Sequence, residues 1–162
     1  MKKYKWTIII LNLIAVLIFF NFSVYKKEET LKNGKLIYIA LAPVDPRSLM
    51  QGDYMTLNYD LSNTVDYTNG FKRGYCIVKL DKYNLAQFQR LQLNQIPLKK
   101  DEHLIKYFQT DFGTISVGAE SYFFQEGNAE KYEKAKYGGL KIDQNGNSIL
   151  VGLYDKNLKL IK

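Results

Sequence analysis

Residues 6–25 form the stretch that most constrains this chain: twenty positions without a charged side chain, dominated by Ile, Leu, Val and Phe. As a helix rising about 1.5 Å per residue, such a stretch is roughly 30 Å long, the thickness of a bilayer's hydrocarbon core. A core helix of a soluble domain shows one apolar stripe, whereas this stretch is apolar on every face. A cleavable signal peptide has a shorter apolar run and small residues at its cleavage point. Residues 19–24, Phe-Phe-Asn-Phe-Ser-Val, carry no such pattern. The expectation is an uncleaved anchor, residues 1–25 with its basic tail, contacting the lipid bilayer through residues 6–25. Lys2, Lys3 and Lys5 precede the span, and Lys26, Lys27, Lys32 and Lys35 follow it, so the positive-inside count is nearly balanced. A short basic tail is the usual cytoplasmic end of such an anchor, and a long following domain can cross despite its charge. The chain therefore reads as a single-pass protein of the cytoplasmic (inner) membrane, with its C-terminal domain outside the cytoplasm.

The net charge is +7, but three of the lysines belong to the tail and the others alternate with acids. Lys99 and Lys100 stand beside Asp101 and Glu102, and Lys131, Lys134 and Lys136 beside Glu130 and Glu133. A nucleic-acid binder concentrates Lys and Arg in one patch; a solvated surface explains this spread better. The single Cys76 excludes an internal disulfide, and its apolar setting suits a small buried hydrophobe.

Residues 26–34 are polar and end in Asn-Gly, which predicts a short linker closing on a turn. The remaining 35–162 are long enough for one domain with a proper core. Residues 35–42 predict a first strand, and residues 43–52 a loop returning it, as a wide hairpin, into a second strand. Residues 74–80 alternate, with Cys76, Val78 and Leu80 on one side. After a turn at 81–84, residues 85–91 read as a return strand or a short helix, because Leu85, Phe88 and Leu91 recur every three positions. Residues 97–102 predict a loop. Strands at 104–108 and 114–124 flank Asp111-Phe112-Gly113, a hairpin signal. Residues 128–136 predict the one helix of the domain, capped by Asn128 and stopped by Gly138-Gly139. Residues 140–143 and 148–153 surround Asn145-Gly146, another hairpin signal. The fold class is mainly β: an N-terminal transmembrane helix followed by an antiparallel β-sandwich or small barrel with one short helix.

The densest chemistry lies in residues 43–61. Pro43 and Pro46 rule out regular structure before Gly52, which suits a tight turn. From Met55 the pattern alternates, placing Met55, Leu57, Tyr59 and Leu61 on one face and Thr56, Asn58 and Asp60 on the other. Asp45, Arg47 and Asp53 fall within nine positions. With Glu126 the carboxylates could hold a hard cation, but Arg47 in the same loop favours a charge-assisted Arg–carboxylate brace. With one histidine, His103, and one cysteine, no metal and no cofactor is expected. A membrane-anchored Ser/Lys protease lacks its nucleophile, because Ala42-Pro43-Val44 stands where the serine belongs and Lys79 has nothing to activate. Many of the tyrosines and phenylalanines suit strand cores. Tyr54, at the strand's entry on the polar face, is the better exposed candidate.

Gly52-Asp53-Tyr54-Met55-Thr56-Leu57-Asn58-Tyr59 resembles the signature of the GDYXXLXY protein family, and Asp45-Pro46-Arg47 resembles its lead-in. Phe123-Phe124-Gln125-Glu126-Gly127 and the run from Tyr132 to Gly138 are similar to its second block. Where that block carries Arg before Tyr-Gly, this chain has Lys136 followed by Tyr137, so no bidentate guanidinium is available there. The resemblance implies a membrane-associated protein of uncharacterised function, with a multi-spanning membrane protein as neighbour. Together with the anchor, it leads us to expect an extracytoplasmic interaction module, not an enzyme, that docks on another membrane or envelope protein. Its structural or binding candidates are Asp45, Arg47, Gly52, Asp53, Tyr54, Glu126, Lys136 and Tyr137. The alternative is a small-ligand binder or hydrolase centred on Asp45, Arg47, Asp53 and Glu126.

Overall fold

In the computed structural model, which describes residues 4–42, 54–61, 71–110, 114–125, 127 and 129–162, the apolar stretch is helical. Helix α1, Lys5–Asn33, is about 44 Å long at the standard rise. It is long and apolar enough to cross a membrane, and no residue of its apolar window is buried. It also runs beyond the expected boundary. Residues 26–33, predicted as an irregular linker, continue the helix without a break, and only Gly34 ends it, its N–H donating to Thr30 O at 2.9 Å. The reason is composition: Lys26, Lys27, Glu28 and Glu29 are solvated helix formers, and Lys32 pairs with Glu28 one turn away at 3.3 Å. The helix end is tied to the domain. Lys141 Nζ donates to the carbonyls of Leu31 at 2.6 Å and Lys32 at 3.3 Å, oxygens that a helix C-terminus leaves without partners.

Among the described residues nine strands follow: β1 Lys35–Ala40, β2 Tyr54–Thr56, β3 Arg73–Leu80, β4 Ala86–Gln92, β5 Glu102–Gln109, β6 Ile115–Ser116, β7 Ser121–Phe123, β8 Tyr137–Ile142 and β9 Ser148–Tyr154. Among the described residues one short helix of the domain is delimited, α2, Ala129–Tyr132. The strands form a sheet β1-β8-β9, a sheet β4-β3-β5-β6 and the pair β2-β7. Every named pairing is antiparallel. The two larger sheets share one core: Ile37, Ile39, Leu140, Ile142 and Leu153 from one, and Cys76, Val78, Ile105, Tyr107 and Ile115 from the other. The architecture is a sandwich, and the described strands close no barrel.

Several expectations change in detail. β2 pairs with β7 and not with β1. The wide hairpin closes one step later, where Leu41 bridges Tyr59 and Ala42 N–H donates to Asn58 O at 2.8 Å. Residues 85–91 are strand, with the period-two burial of β4 overriding the threefold spacing. The predicted helix over 128–136 contracts to the four residues of α2, and Gly138-Gly139 are not its stop but the middle of β8. They are needed there for space. A Cβ on Gly138 would lie 2.9 Å from Tyr59 Cε1, and one on Gly139 would collide with the Tyr154 ring.

β3 is the central strand, and Ile77 on its outer face is as buried as Val78 on its inner one. The pairings show why. β4 and β5 flank β3 and run parallel to each other, so residues 93–101 must cross from one end of the sheet to the other. That crossover is clamped to the outer face. Arg90 donates to Glu102 Oε1 at 2.7 Å and Oε2 at 2.9 Å, and to Pro97 O at 3.1 Å. Glu102 also receives the Lys99 N–H at 2.9 Å.

Candidate functional site

The alternation from Met55 to Leu61 is realised residue by residue. Met55, Leu57, Tyr59 and Leu61 are buried, and Thr56, Asn58 and Asp60 are exposed. Leu57 N–H donates to Glu120 O at 2.6 Å. Tyr59 is 1 % exposed, and its hydroxyl donates to Ala119 O at 2.5 Å. Burial, and then the charge of Glu120, push its pKa far above the ordinary tyrosine value. Glu120 in turn accepts the Val117 N–H at 2.5 Å. Leu57 and Tyr59 thus hold the frame, fixing residues 117–120 against β8.

The exposed side of the same segment borders a groove of about 320 Å³. One wall is the run from Met55 to Asn58, the other Tyr132, Glu133, Ala135 and Lys136, with Leu41 and Ala42 between them. Four consecutive residues of an extended segment line one wall. Alternate side chains point to opposite faces, so the backbone itself must border the opening. The opposite wall is braced by aromatic contacts: Tyr132 lies 5.2 Å from Tyr122 and 4.9 Å from Phe124, ring centre to ring centre. The arrangement combines an apolar floor with a rim of Thr56, Asn58, Glu133 and Lys136. It can receive an apolar group and hydrogen-bond its polar neighbours.

Of the residues singled out in the sequence, Lys136 is exposed on this groove. Its N–H donates to Tyr154 O and its C=O accepts from Leu41 N–H, at 2.8 and 2.9 Å. Tyr137 opens β8, half-buried between Ala40 and Tyr154 in register. Tyr54 opens β2 opposite Phe123, which places the two signature blocks side by side. Asp45, Arg47, Gly52, Asp53 and Glu126 lie outside the described residues, so neither the brace nor the alternative site built on them has a described geometry. Among the described residues no three His, Cys, Asp or Glu side chains gather as metal ligands. Cys76 is buried, and burial pushes its thiol up to about 12, far from a reactive thiolate. Lys79 is exposed.

Sequence reasoning missed the ion pair Arg90–Glu102 and the contact of Lys35 Nζ with His103 Nε2 at 3.0 Å. Neither has a local signal: the partners are 12 and 68 residues apart and meet only through strand pairing. No curated protein and no solved structure matches the chain. The family model named GDYXXLXY protein matches residues 16–153, from within α1 to the end of the core in β9. With most of its length and both signature blocks covered by that match, this chain belongs to the GDYXXLXY protein family.

Proposed function

We propose that the chain is a single-pass inner-membrane protein whose β-rich domain stands outside the cytoplasm and docks on another membrane or envelope protein through the groove between Met55–Asn58 and Tyr132–Lys136. The observation that carries the reading is the meeting of the two blocks. Segments more than 70 positions apart converge on one opening, and Met55 and Leu57 on one of them also belong to the core. The apolar helix supports the anchoring part, and the basic tail before it supports the orientation. The apolar lining and the polar rim of Thr56, Asn58, Glu133 and Lys136 support recognition as the groove's chemistry. A photo-reactive residue placed at Thr56 or Glu133 of the full chain, irradiated in intact cells, should yield an adduct with a membrane or envelope protein. The adduct should weaken with Lys136→Glu and should not form from Lys82, an exposed position outside the groove. No adduct, or equal adducts from all three positions, would overturn the docking reading.

A further inference from the structure

A second cavity, of about 550 Å³, opens where α1 meets the domain. Its walls include Lys26, Glu29 and Thr30 of the helix, Lys35 at the start of β1, His103 on β5 and the turn 143–147. Its height along the helix is informative. Lys26 is the first residue after the uncharged stretch, and Thr30 lies about 7.5 Å beyond Tyr25 along the axis. A bilayer's headgroup layer extends roughly 5–7 Å beyond its hydrocarbon core. The cavity therefore stands at headgroup level if α1 spans the membrane, and the inference rests on that reading.

The charges around the cavity are of both signs. Lys26 and Lys35 both line it, the Lys26 ammonium resting 4.6 Å from the centre of the Phe22 ring. Lys35 Nζ is held 3.0 Å from His103 Nε2, whose pKa is lowered by burial and then by Lys35, so the neutral imidazole accepts the contact. Asp143 is engaged: its carboxylate accepts the N–H groups of Asn145 and Asn147 at 2.9 and 2.8 Å and the Asn147 side-chain amide at 2.6 Å. Glu29 lines the same space, and no ion pair within the described chain involves it. Lys26, Glu29 and Lys35 are exposed, so both signs of charge are open to an occupant that carries both complements.

We propose that this cavity holds the headgroup of a phosphatidylethanolamine, with the phosphate on Lys26 and Lys35 and the primary ammonium on Glu29. A phosphatidylglycerol would leave Glu29 without a cation, and the quaternary nitrogen of a phosphatidylcholine has no N–H to donate. The chain would then be seated at a set height by a lipid clasped between helix and domain, complementing the clamp of Lys141 on the helix end.

The test uses the full chain in nanodiscs of equal parts phosphatidylethanolamine, phosphatidylglycerol and phosphatidylcholine, released into a native mass spectrometer to identify the lipids retained. Phosphatidylethanolamine should be retained over the other two. Glu29→Gln and Lys35→Gln should each reduce its retention roughly tenfold, about the worth of a charge-assisted hydrogen bond. Glu133→Gln, in the other groove, should leave it unchanged. Retention of no lipid, of all three equally, of phosphatidylglycerol alone, or of phosphatidylethanolamine in undiminished amount by both variants would overturn the site. Entry into the discs with any of those results leaves the membrane reading standing. A chain that stays soluble without detergent and does not enter them overturns that reading and the headgroup site with it.

Discussion

Leu57 and Tyr59 show what the family's signature is for at the scale of single residues. Both face the core, and the Tyr59 hydroxyl and ring tie residue 119 and Gly138 into one contact. Replacing Leu57 by Ala removes a side chain that is only 4 % exposed and should cost roughly 2–5 kcal/mol. Thr56→Ala, one position along on the exposed face, should stay within about 0.5 kcal/mol. Denaturant melts of the two variants in the full chain measure both. Equal effects would contradict the assignment of faces. This alternation was readable because a period of two survives whatever the strand pairs with. The partner of the Tyr59 hydroxyl was not readable, because Ala119 is 60 residues away.

At the scale of elements, the crossover between β4 and β5 depends on one ion pair. Glu102 accepts two hydrogen bonds from Arg90 and one from the Lys99 backbone, and these hold its carboxyl at about 2, below the ordinary 4.5. A carboxyl whose pKa is depressed in the folded state binds protons more readily when unfolded, so its stabilisation is complete above about 4.5. It is lost as the pH falls toward about 2. Melting temperature followed from pH 7 to pH 2 should therefore decline less in Glu102→Gln than in the parent, and the two curves should converge at the acid end. Arg90→Lys should lose much of the parent's advantage at pH 7, because an ammonium cannot reproduce the two parallel contacts. Identical pH profiles for parent and Glu102→Gln would refute this account of the clamp.

At the scale of the whole molecule, helix and domain are joined by a continuous α1, the buried Thr30 and the Lys141 contacts, in place of the short linker and turn that residues 26–34 suggest. The Lys141 contacts and the buried Thr30 thus set where the domain sits against the end of α1. A reporter active only outside the cytoplasm, fused after Lys162, should be active, and the full chain should resist carbonate extraction. Activity of a cytoplasm-only reporter instead would reverse the proposed orientation.

The sequence by itself determined whatever depends on neighbours a few positions away. The apolar span follows from uninterrupted composition, the strand faces of residues 55–61 and 74–80 from period two, and the 143–147 hairpin turn from Asn145-Gly146, where Gly146 adopts φ 80°. Tertiary structure decided whatever depends on distant partners. Gly138-Gly139 look like a helix stop in sequence and are strand residues, because the Tyr59 and Tyr154 rings occupy the space their side chains would need. The partner of β2 is β7 and not β1, a pairing between segments more than 60 positions apart. The groove between the signature blocks exists only once segments far apart in the chain have folded against each other, a relation that no local pattern encodes.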